Sequence, residues 1–144
     1  MSDADGGSPA PPIDRPILED VRDRLRTSQP FTSVDIVLGE GHVRLLAVLD
    51  PSYVPATVKE ATLDIRWYRN DDFRIHYREI GAEEWACRWD RHPNPHNARE
   101  HYHPPPDAGT PGEDRSWPID YRDVMGLVLD RIDRRIEAHW RDVR

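Results

Sequence analysis

The sequence predicts an α+β domain, an antiparallel sheet of about five strands with a short N-terminal helix and a long C-terminal helix packed on one face. Three observations carry that expectation. Apolar residues recur at helical spacing near the start, at Ile17, Leu18, Val21 and Leu25, and again near the end, from Tyr121 through Val124, Met125, Val128, Ile132, Ile136 and Trp140. Between these stretches the period falls to two. The chain has 144 residues, of which 37% are hydrophobic and 33% charged, enough for one modest core.

Residues 1–14 are mostly Gly, Ser, Pro, Ala and Asp, with little to bury, and are expected as a disordered tail ahead of a single domain over 15–144. The opening has no basic segment followed by an apolar one, so no secretory signal is expected and the cytoplasm is the expected compartment. Pro16 suits the first turn of a helix that stops at Thr27-Ser28-Gln29-Pro30. Val34, Ile36 and Leu38, the Gly39-Glu40-Gly41 turn and the run from Val43 to Leu49 read as a β-hairpin. Beyond a loop bounded by Pro51 and Pro55, three alternating runs follow: Leu63/Ile65/Trp67, Phe73/Ile75/Tyr77 and Trp85/Cys87/Trp89. The His- and Pro-rich stretch 91–118 is expected as one long irregular loop, after which the helical period returns.

Composition narrows the function classes. No apolar run approaches the ~20 residues that span a bilayer, so no membrane role is expected. Cys87 is the only cysteine, which excludes an internal disulfide. Arginine supplies 19 of the 20 basic residues and Asp outnumbers Glu by 18 to 9, a bias expected of a GC-rich or halophilic prokaryote. The net charge of −7 opposes whole-surface attraction to nucleic acid. Yet Arg66 to His103 is neutral, with seven arginines against seven acids, and holds five of the seven histidines.

If the apolar residues of the three central runs face the C-terminal helix, the other face carries Asp64, Arg66, Arg74, His76, Arg78, Arg88 and Asp90. Such a face is either an ion-paired surface open to water or an anion platform, since guanidinium forks match phosphate oxygens. The segment after it places His92, His96, His101 and His103 within twelve residues. Imidazoles titrate near neutrality, so two of His76, His92, His96, His101 and His103 are candidates for general base and acid in ribonuclease chemistry. Arg66, Arg74, Arg78 and Arg88, with Asp90, are the candidate substrate-binding groups. Attack by a 2′-hydroxyl on its own phosphate requires no cofactor. A metal-dependent reading would use Asp90 with His92, His96, His101 and His103, although the H-x3-H-x4-H-x-H spacing matches no strong zinc motif and no metal ligand is assigned from it. A third reading is a non-catalytic interaction module that holds a partner through the C-terminal helix or the acidic tail.

The order of paired strands, the tripeptide Arg88-Trp89-Asp90, His92-Pro93, Pro95-His96, the His101-x-His103 pair and the closing amphipathic helix together resemble the TumE toxin-like family. Arg91 stands where that family commonly has Asn. The resemblance spans about residues 34–140 and implies a prokaryotic toxin–antitoxin component, with a helix-turn-helix antitoxin as partner. Joined to the residue chemistry, it gives a toxin component acting on RNA as the leading expectation.

Overall fold

The computed structural model describes residues 12–28, 30–39, 41–93 and 99–143. Within them the chain forms helix α1 (Arg15–Arg26), strands β1 (Phe31–Gly39), β2 (His42–Leu49), β3 (Val58–Trp67), β4 (Phe73–Gly81), β5 (Trp85–Arg91), β6 (Glu100–His103) and β7 (Glu113–Asp114), and helix α2 (Tyr121–Asp142). The strands lie side by side in chain order, each antiparallel to the next. The α+β class stands, with seven strands among the described residues in place of about five.

The two additional strands correct the reading of 91–118 as one irregular loop. Proline is excluded from ladders because it has no N–H to donate. Here the prolines flank the pairing segment: Pro93 and Pro95 precede it, Pro104 to Pro106 follow it, and Glu100–His103 is free of them. The outer edge of β5 then finds its partner in β6, with Asp90 opposite His101 and Arg88 opposite His103. The expected tail also needs correction at its end. Pro12 and Asp14 are hydrogen-bonded to the end of β3 and the turn after it, through Asp14 N to Trp67 O at 2.8 Å and Arg69 N to Pro12 O at 2.9 Å. Residues 1–11 lie outside the described residues.

Local chemistry sets the helices. Asp14 caps α1, its Oδ1 accepting from Ile17 N at 3.2 Å, and Asp120 caps α2 by accepting from Arg122 N at 2.9 Å. Leu18, Val21 and Leu25 of α1 and Val124, Met125, Val128 and Ile132 of α2 are buried on the same sheet face as Leu63, Ile65, Trp67, Phe73, Ile75, Tyr77, Cys87 and Trp89. Tyr121 ties the two helices together by donating to Asp20 Oδ2 at 2.5 Å. Burying each large apolar side chain contributes ~1.5–3 kcal/mol, so this layer carries the stability of the fold. It also absorbs Cys87, whose thiol is pushed up to about 11 chiefly by burial, which makes it a packing residue. With both helices on one face, the other face of the sheet is left to the charged residues.

Candidate functional site

Pairing register arranges the polar face in rows. One row runs Asp64, His76, Arg88, His103 across β3 to β6, and the next runs Arg66, Arg74, Asp90, His101. Arg44 joins from β2, with its Nε 3.0 Å from Asp64 Oδ2. This arginine was not among the sequence candidates, because the β2 run reads as apolar on both faces.

Asp90 is the centre of the arrangement. Its Oδ2 accepts from Arg88 Nε at 2.8 Å and lies 3.0 Å from His103 Nε2, 3.3 Å from His101 Nε2 and 3.5 Å from His92 Nε2. Its Oδ1 is buried without a hydrogen-bond partner among the described residues. Burial would raise the Asp90 carboxyl, but the hydrogen bond from His92 and the Arg88 cation outweigh it and hold the group below the ordinary carboxylate range. The Asp90 bond raises His92 against burial, with help from the Pro93 carbonyl.

Burial divides the imidazoles. The side chains of His101 and His103 are 1% and 2% exposed, whereas that of His92 is 40% exposed at the rim. His96 lies outside the described residues. The segment after β6 encloses His103: its Nδ1 lies 3.0 Å from Gly109 O, and Arg88 Nη2 lies 2.9 Å from its Nε2. Gly112 comes so close, at a positive φ of 84°, that a Cβ there would stand 2.8 Å from Tyr102 O and 3.0 Å from His103 Nδ1. Neither glycine was singled out in the sequence.

The arginines are less evenly neutralised than an ion-paired face requires. Arg88 is matched to Asp90, and Arg66 reaches Asp64 only at 3.9 Å, its Nε without a hydrogen-bond partner among the described residues. Arg74 has no ion pair among the described residues; burial, then its neighbours Arg88 and Arg66, lower its affinity for a proton. His76 is pulled down to about 4 by burial and by Arg74, Arg88 and Arg78, so it is neutral at physiological pH. Asp64, in contrast, is raised, because burial exceeds the effect of Arg44 and Arg66. Arg78 stands apart, opposite Thr62 and Ala86 and 3.6 Å from Glu84.

Arg91, the position at which the chain departs from the expected tripeptide context, is a structural bracket. It donates to Glu100 Oε2 at 2.8 Å and to the carbonyls of Asp71 and Pro118, and its guanidinium sits 5.0 Å from the Phe73 ring. Trp117 closes the same end by donating to the Asp90 carbonyl at 3.0 Å.

Fold and site together define a class: two helices on one face of an antiparallel meander, and an arginine lattice with a buried histidine–aspartate nest on the other. The family model described as Toxin TumE matches residues 18–136, and the chain belongs to that toxin family. No curated protein and no solved structure gives a significant match. Among the described residues, no helix is long and apolar enough to cross a membrane.

Proposed function

We propose that this TumE family toxin acts on RNA, binding the phosphate backbone on the open sheet face and cleaving it by attack of a 2′-hydroxyl on the adjacent phosphorus. The observation that carries this reading is the cation excess at the centre of the face. Arg44, Arg66, Arg74 and Arg88 share the carboxylates of Asp64 and Asp90, and Arg74 has none at ion-pair distance among the described residues. Crowded guanidiniums of this kind favour an anion with several oxygens.

His76 lies in the same lattice as a neutral imidazole able to accept the 2′-hydroxyl proton, and a bound phosphate, by offsetting Arg74 and Arg88, would raise its proton affinity from the lowered value of the free face. The O2′–P bond forms and the P–O5′ bond breaks. Arg74 and Arg88 offset the charge that grows on the phosphoryl oxygens, and the leaving oxygen takes a proton from water at the His92 rim. His101 and His103 are enclosed and shape Asp90 without meeting the substrate. The partner implied by the family is an antitoxin protein, which would neutralise the toxin by covering this face.

Induced expression of wild type, His76→Ala and Arg74→Gln, with growth and total RNA integrity followed, tests the proposal. Wild type is expected to arrest growth and shorten RNA, and each variant to relieve both, since removal of a general base costs ~10²–10⁴ in rate. Growth arrest with intact RNA overturns the RNA reading and favours a toxin that acts by protein interaction alone.

A further inference from the structure

We propose that Asp90, His101 and His103 form a binding site for one divalent transition-metal cation of the zinc class, with an open coordination position toward His92. One ligand atom from each of the three residues lies within 4.8 Å of the others, and all three residues are buried. The Asp90 Oδ2 to His101 Nε2 and His103 Nε2 separations of 3.3 and 3.0 Å approach the spacing of roughly 3.3 Å that tetrahedral ligands about 2.0–2.1 Å from one ion must have.

Two independent features point to a cation. The first is Asp90 Oδ1, a carboxylate oxygen that has no hydrogen-bond partner among the described residues, on a side chain with 0% exposure. Such an atom is costly unless something beyond the described residues engages it, and a cation held by the same carboxylate through Oδ2 gives Oδ1 a contact as well. The second is a conflict at His103. Its Nδ1 faces the Gly109 carbonyl, which can only accept, so Nδ1 carries a hydrogen. Its Nε2 then faces a donor, Arg88 Nη2 at 2.9 Å, and an acceptor, Asp90 Oδ2 at 3.0 Å. With or without a hydrogen on Nε2, one of these contacts is repulsive. A metal ion accepts the lone pairs of both Nε2 and Oδ2 and removes the repulsion between them; Nε2 has a single lone pair, so Arg88 Nη2 then gives up its contact there while Arg88 Nε keeps its bond to Asp90. A ligating imidazole whose other nitrogen donates to a backbone carbonyl is the usual second contact around protein-bound zinc.

The donor set selects the metal. Two imidazoles and one carboxylate suit zinc and its transition-metal neighbours, whereas magnesium prefers an all-oxygen octahedron. Three protein ligands leave a fourth position, as catalytic rather than structural zinc sites do. His92 Nε2, 3.5 Å from Asp90 Oδ2 and partly exposed, borders that position.

The test uses the full chain expressed without a polyhistidine tag, stripped with a chelator and titrated with Zn²⁺ in the presence of excess Mg²⁺. Bound metal is measured by plasma mass spectrometry, and Co²⁺ substitution by visible absorption. One zinc per chain is expected, with the intense spectrum of a four-coordinate cobalt site. Retention should fall at least ~10-fold in His101→Ala and His103→Ala and survive in His92→Ala and in the exposed-site control His42→Ala. If the alanine variants fail to fold, Asp90→Asn and the cobalt spectrum of wild type carry the same test. Wild type that retains no zinc, or folded ligand variants that bind it unchanged, overturn the proposal. The readout is binding alone: zinc binding without RNA cleavage refutes the RNA reading and keeps this site, and cleavage without zinc binding does the reverse.

Discussion

Glu79→Gln is expected to be the most damaging isosteric change on the helix side of the sheet. Glu79 is 1% exposed and collects three partners. Arg135 donates to it from Nε and Nη2, the latter at 2.9 Å, Tyr77 OH donates at 2.7 Å, and His139 Nε2 lies 3.0 Å away. This group joins β4 to the C-terminal turns of α2. Breaking a buried ion pair from one side costs ~3–5 kcal/mol because the other charge is left without its partner. Arg135 and His139 keep 20% and 13% side-chain exposure, so water relieves part of the loss and the lower end of that range applies. About 3 kcal/mol corresponds to a drop of roughly 6–12 °C in Tm for a chain of this size. Thermal melts at neutral pH measure it directly, and the double variant Glu79→Gln/Arg135→Met should be less destabilised than the sum of the singles. A loss under ~1 kcal/mol, or simple additivity, would refute the reasoning. The pH dependence has a fixed sign. Burial alone would raise Glu79, but the bonds from Arg135 and Tyr77 outweigh it and hold the folded value below the ordinary one. Its contribution is therefore complete above the ordinary carboxylate range and is lost as pH falls through the lowered folded value. The Gln variant should lack that part of the acid sensitivity.

Gly112→Ala should loosen the enclosure of His103, because its Cβ has no room and the φ of 84° is strained for alanine. A loss of ~1–3 kcal/mol in stability, with weaker zinc retention, is expected; unchanged melts and metal content would show that the segment is not held there. Asp14→Ala removes the cap of α1 and should cost ~0.5–2 kcal/mol in thermal unfolding, whereas a neutral result would mean that the cap is dispensable. Arg78→Gln should leave RNA cleavage close to wild type, since Arg78 is paired toward Glu84 away from Asp90; loss equal to that of Arg74→Gln would show that the binding surface extends further.

Much of this architecture was legible because it is local. The stripe from Val124 to Ile132 and the alternation of Leu63, Ile65, Phe73, Ile75 and Cys87 each announce a buried face without knowledge of any partner. The face assignment followed, and with it the grouping of Arg66, Arg74, His76, Arg88 and Asp90. What stayed hidden depends on pairing at a distance. Nothing near His101 states that it will lie opposite Asp90. That follows from β6 taking the free edge of β5, and the surrounding prolines mask a strand of only four residues. Enclosure by Gly109 and Gly112 is equally non-local, so the sequence could suggest a histidine cluster but not that two of its members are buried. Glu79, with partners 56 and 60 residues away, shows no pattern in its own strand.

The chemistry of the RNA ends tests the central claim most directly. Purified toxin incubated with a defined single-stranded RNA, with products analysed by mass spectrometry, should yield fragments that end in 2′,3′-cyclic phosphate and begin with a 5′-hydroxyl. His76→Ala and Arg74→Gln should yield almost none. Fragments carrying 5′-phosphate, or RNA that stays intact under a preparation that still arrests growth in cells, would contradict the account.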